Sequence, residues 1–81
     1  MVKSLHTSEY EAFRKLLTDT RRKRGLTQSD VATALGRHQS FVTKYERGER
    51  RLDVIEFVQV CVALGVDPVG MLKEIQKKGL A

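Results

Sequence analysis

Among its 81 residues the chain has one cysteine, one proline and no tryptophan. A lone Cys61 excludes an intrachain disulfide. It stands at an apolar helical position, which reads as a small buried hydrophobe rather than a reactive thiol. Histidine is nearly as scarce, with His6 and His38 far apart. No metal-ligand spacing, paired carboxylates or nucleophile elbow appears. The expectation is therefore no catalytic residue, no metal, no cofactor and no enzyme. No apolar run is long enough to span a bilayer and no signal-peptide pattern opens the chain, so no membrane partner and a cytoplasmic location are expected. Alternating strand patterns, repeats and low-complexity segments are also missing, which leaves an all-α chain.

What is present is helical and basic. The composition is 41% hydrophobic and 31% charged, globular rather than disordered. The length predicts one domain over 1–81, with 1–7 a flexible N-terminal tail. Net charge is +5 and the pI about 9.7. A basic balance favours polyanions without choosing among DNA, RNA and membrane surface. Its distribution narrows the choice. From Arg14 to Arg51 there are eleven Lys or Arg against four Asp or Glu, while the remainder carries four against six.

That positive segment contains the informative stretch, TQSDVATALGRHQSFVTKYERGE, from Thr27 to Glu49. Thr27 can cap a short helix with Asp30 completing a capping box. Val31, Ala32 and Leu35 give that helix an apolar face, and Gly36 stops it at a turn that needs φ > 0. A second helix is predicted from Gln39 to Arg47, with Val42 and Tyr45 inward and Gly48 closing it. Ala32 supplies the small side chain where two helices cross closely. This spacing is that of a helix-turn-helix, whose second helix enters a DNA major groove. A plain helical hairpin that binds nothing is the competing reading.

On either side the pattern continues. Ser8 to Glu11 reads as a capping box opening a long helix with Tyr10, Phe13, Leu17 and Thr20 at helical spacing. Arg21 to Arg24 close it against the negative end of its dipole, and Gly25 stops it. Asp53 and Glu56 form another capping box, with Leu52 and Phe57 placed for a hydrophobic staple. That fourth helix predicts an inward stripe of Val54, Phe57, Val58, Cys61 and Leu64, with Val60 at its edge. Asp67 and Pro68 begin a fifth helix that buries Met71, Leu72 and Ile75. The fourth helix is apolar nearly all round: Ile55 and Val62 point away from the stripe and Val58 lies at its margin. The three predict a dimer interface, or an ordinary scatter of surface apolar residues.

Gln28, Ala32, Gly36, Val42, Glu46 and Gly48, in this order and spacing, resemble the lambda repressor and Cro family of helix-turn-helix regulators, the xenobiotic-response-element type. The similarity covers roughly Phe13 to Leu72. R-G-L-T-Q, A-x-x-x-G, Y-E-R-G-E and A-L-G-V-D together make it specific. It implies a compact five-helix lambda-repressor-like DNA-binding domain, with helices 2 and 3 as the helix-turn-helix. It implies base contacts from His38, Gln39, Ser40 and Lys44, of which Gln39 suits adenine and Lys44 guanine. Gln28, Arg37, Arg47, Arg50 and Arg51 are expected on phosphates, and Arg21 with Glu46 matches a structural ion pair of the family. His38 departs from the usual Ser, Thr or Asn cap. Phe41 is large for its place and either packs inward or touches a thymine methyl or sugar.

The function expected is a sequence-specific regulator of transcription, a repressor or autoregulator, bound as a homodimer to a two-fold operator in double-stranded DNA. The alternative is an antitoxin or another module with a protein partner, for which Ile55 and Val62 would supply the surface.

Overall fold

The computed structural model describes residues 7–79. Its elements are α1 (Ser8–Lys23), α2 (Gln28–Leu35), α3 (Gln39–Arg47), α4 (Val54–Leu64) and α5 (Pro68–Lys77). Among the described residues there is no strand. No single helix among them is long and apolar enough to cross a membrane.

Most helix boundaries follow from local capping chemistry. Thr27 and Asp30 exchange bonds, Asp30 N–H to Thr27 Oγ1 at 3.0 Å and Thr27 N–H to Asp30 Oδ2 at 2.9 Å. Asp53 and Glu56 do the same at 2.7 and 3.0 Å. Asp67 accepts from Val69 and Gly70 ahead of Pro68 at N1. Gly36 and Gly48 end α2 and α3 in the left-handed region, at φ +67° and +79°. Each is followed by the long bond of a Schellman ending, Arg37 N–H to the Ala32 carbonyl and Glu49 N–H to the Lys44 carbonyl.

The first cap differs from expectation. Thr7, assigned to the tail, is the N-cap of α1 and accepts the Tyr10 N–H at 3.1 Å, while Ser8 is already helical. Threonine and serine are near-equal caps, so neighbouring candidates cannot be separated by pattern. The remainder of the expected tail lies outside the described residues.

The core gathers Leu17 from α1, Val31 and Ala32 from α2, Phe41, Val42 and Tyr45 from α3, Phe57, Val60, Cys61 and Leu64 from α4, and Met71 and Ile75 from α5. Val31, Val42, Val60 and Cys61 are sealed from solvent entirely. Burial pushes the Cys61 thiol up to about 11, which keeps it protonated and inert. Three residues expected inside are not. Val54, Val58 and Leu72 are 75, 40 and 53% exposed. The inward stripe of α4 is centred on Val60 rather than beside it, which rotates Val54 and Val58 outward. With Leu72 they border an apolar groove of about 580 Å³ that also touches Tyr10, Phe13 and Phe57.

Candidate nucleic-acid interface

The inner side of α3 is anchored by Val42 and Tyr45, and Ala32 of α2 is itself buried. Desolvation of the Tyr45 hydroxyl drives its pKa up, so it stays neutral. Beside this apolar anchor lies a polar one. Arg21 of α1 donates to both oxygens of Glu46, from Nε at 2.7 Å and Nη2 at 3.1 Å. The two side chains are 10 and 6% exposed. Arg21 Nη1 also donates to the Leu26 carbonyl at 2.8 Å, and the Glu46 partnership raises the Arg21 pKa further. Arg21 is therefore turned inward instead of joining its neighbours at the solvent end of α1.

Gln28 joins the same network. Its Nε2 donates to Glu46 Oε1 and its Oε1 accepts from Thr43 Oγ1, each at 2.9 Å. The amide thereby bridges α2 and α3 from a half-buried position at the start of α2. Arg14 completes the set. Its Nη1 donates to the Glu46 carbonyl at 2.6 Å, near the negative end of the α3 dipole. A methyl group at Gly48 would fall 2.8 Å from its Cζ and Nε. Sequence reasoning missed Arg14, although Arg14, Leu17 and Arg21 recur at three- and four-residue steps and so share one face of α1.

The outer side of α3 is free. His38, Gln39, Ser40, Lys44 and Arg47 are all exposed. His38 is the N-cap, and its Nδ1 accepts the Ser40 N–H at 3.2 Å. That bond places the ring proton on Nε2, which remains available as a donor. The unusual cap therefore functions as a cap and still presents a donor at the start of α3.

A cationic cluster lies beside this rim. Phe41 packs into the core, 5.6 Å edge-on from Tyr45, which resolves its two sequence readings toward packing. The guanidiniums of Arg37 and Arg50 lie over its ring, at 4.3 and 4.8 Å from the centroid. Glu56, buried at the start of α4, accepts from Arg50 Nη1 and Nη2 at 2.9 and 2.7 Å. Arg37 Nη2 stands 3.6 Å from the same Oε2. The Arg50 guanidinium foremost, then the Asp53 N–H and the Arg37 charge, hold the Glu56 carboxyl down at about 2. Arg51 covers the Tyr10 ring at 4.4 Å, and Tyr10 Oη accepts the Leu52 N–H at 3.1 Å. The four arginines 37, 47, 50 and 51 thus lie in α3 or in the segments flanking it. Glu56 was read from the sequence only as a capping partner; its ionic role depends on chain segments that folding brings to it.

On α4 the outward face is apolar, with Ile55 and Val62 each about two-thirds exposed and Val58 less so. No group of three His, Cys, Asp or Glu suited to a metal ion occurs among the described residues.

This arrangement is that of a helix-turn-helix protein, and a model of the helix-turn-helix domain family matches residues 12–72. The chain belongs to that family, as a transcription regulator of the xenobiotic-response-element type with a lambda-repressor-like fold, and not to an enzyme class. A solved XRE-family-like protein from Pseudomonas syringae pv. tomato strain DC3000 is 44% identical, with a TM-score of 0.85 over 93% of this chain and 92% of that one. The uncharacterized HTH-type transcriptional regulator y4dJ of Sinorhizobium fredii (strain NBRC 101917 / NGR234) is 38% identical over 52 residues, 64% of this chain and 68% of that protein. The restriction-modification controller protein C.AhdI of Aeromonas hydrophila is 26% identical, with a TM-score of 0.72 over 80% of this chain and 98% of that one.

Proposed function

We propose that the chain is a repressor or autoregulator that reads a two-fold operator in double-stranded DNA as a cytoplasmic homodimer. The observation that carries this reading is the division of α3. Its inner side is fixed by Val42, Tyr45 and Glu46, while Gln39, Ser40 and Lys44 are exposed on the other. A short helix with one locked face and one polar face can enter a major groove and present donors and acceptors to base edges. In this reading His38, Gln39, Ser40 and Lys44 meet bases. Arg37, Arg47, Arg50 and Arg51 meet phosphates, and Gln28 does so from the N-terminus of α2. The exposed Ile55, Val58 and Val62 supply the two-fold contact.

Selection of duplexes from a random pool, followed by a salt titration of the best ones, tests the proposal. Two half-sites about 10–10.5 bp apart are expected. Log affinity should fall with log salt at a slope of at least about −2, that of two or three neutralised phosphates. No enrichment, or a slope near zero, would refute groove reading. A stoichiometric partner protein seated on the α4 face would favour the antitoxin alternative.

A further inference from the structure

We propose that Glu56 is a positioning residue for DNA binding: it gathers Arg37 and Arg50 over the Phe41 ring into one two-cation phosphate clamp beside α3. The inference rests on the DNA-binding reading above and assigns within it a role to a buried acid that touches no ligand itself.

Arg37 belongs to the turn before α3 and Arg50 to the loop after it, so they approach from opposite ends of the reading helix. Two guanidiniums over one ring repel each other. The Oε2 of Glu56 lies between them, 2.7 Å from Arg50 Nη2 and 3.6 Å from Arg37 Nη2. Its other oxygen takes Arg50 Nη1 and the Asp53 N–H. A single carboxylate thus fixes both cations relative to the first turn of α4.

The cations are held without being used up. Arg50 spends three of its five N–H donors, two on Glu56 and one on the Arg51 carbonyl. Arg37 makes no side-chain hydrogen bond among the described residues, and its side chain is 42% exposed. The donors left over suit the tetrahedral oxygens of a phosphodiester, which guanidiniums bind in paired fashion. The clamp is therefore pre-organised, with the ordering of two long side chains complete before DNA arrives.

The test compares wild type with Glu56→Gln on mixed-sequence duplex DNA across a salt series. Glutamine keeps the N3 side of the capping box, so the α4 start is retained. Counting charge alone, removing an acid should tighten binding and steepen the salt slope. Positioning predicts the reverse: weaker binding and a slope shallower by about 1 for each phosphate no longer neutralised. Arg37→Gln should itself reduce the slope by about 1, and by much less in the Glu56→Gln background. Arg50→Gln, made at a half-buried side chain that leaves both Asp53 and Glu56 of the capping box in place, should also reduce it and carries the test if Glu56→Gln does not fold. An unchanged or steeper slope in Glu56→Gln, additive reductions with Arg37→Gln, or an unaltered slope in both arginine variants would overturn the clamp. If wild type itself shows no salt-dependent DNA binding, the DNA reading falls, and the clamp with it.

Discussion

Gly48→Ala and Gly36→Ala are the same chemical change at two helix ends of nearly equal backbone geometry, φ +79° and +67°. Each forces an L-residue into the left-handed region, at about 1–2 kcal/mol. Their surroundings differ. A methyl group at Gly36 meets nothing within 4 Å, so that variant should lose only the backbone term. At Gly48 the methyl group would sit 2.8 Å from the Arg14 guanidinium carbon. Arg14 cannot withdraw freely, because its Nη1 holds the Glu46 carbonyl at 2.6 Å. Displacing it gives up a hydrogen bond from a charged donor, a further ~1.5–3 kcal/mol.

Gly48→Ala should therefore cost about 2.5–5 kcal/mol in total against about 1–2 for Gly36→Ala. For a domain of this size each kcal/mol lowers Tm by roughly 4–8 °C, so the two variants should separate clearly. Urea unfolding followed by circular dichroism measures both, with and without Arg14→Ala. With Arg14 truncated, the two glycine substitutions should become equal. Equal costs in the wild-type background, or an excess at Gly48 that survives Arg14→Ala, would refute the assignment of Arg14 as the brace of α3.

Three further outcomes are expected. Lys44→Ala should cost about 1–3 kcal/mol on the preferred duplex and relax preference at one base position; a uniform loss on all sequences would confine Lys44 to the backbone. Ile55→Lys should shift sedimentation toward monomer while the helical circular dichroism of the domain is retained, since Ile55 is 67% exposed on the single chain; an unchanged profile would move the interface elsewhere. Glu56, held at about 2 against an ordinary 4.5, stabilises the fold fully above 4.5 and loses that contribution as pH falls toward 2. The stability gap between wild type and Glu56→Gln should accordingly narrow between pH 4.5 and 2 in acid unfolding, and a constant gap would deny the ion pair.

Features encoded over three or four residues were legible. Thr27 with Asp30, Asp53 with Glu56, and Asp67 with Pro68 each mark a helix start by local chemistry, and the bounds of α3 follow from His38 and Gly48. The phase of α4 was not legible in full. A helix apolar nearly all round has no polar face to fix its rotation, so Val54 and Val58 could be assigned inward while Val60 occupied the centre. Charged residues concealed the rest. An arginine or glutamate is solvated by default, and only a partner distant in sequence makes it structural. Arg14 and Glu46 lie 32 positions apart, and Arg37 and Glu56 belong to different elements. Arg21 with Glu46 was found because the family resemblance brought the pair with it.

α3 is nine residues, about 13.5 Å long, too short to be stable by itself. Its orientation must come from neighbours, and three groups of neighbours supply it with charged or amide side chains. Arg14 and Arg21 fix its C-terminal end from α1, Gln28 ties Thr43 and Glu46 to α2, and Arg37 and Arg50 join its flanks to Glu56 of α4. Buried ion pairs contribute little net stability, because desolvation offsets their attraction. They are directional, however, in a way that Val42 and Tyr45 are not: a two-point guanidinium–carboxylate contact admits one relative placement, whereas apolar packing tolerates rotation and slip. Apolar residues hold this helix down, and ionic ones aim it. Aim is what the proposed base reading demands, since under it a displaced Lys44 or Gln39 would lose a base edge while the domain remained folded.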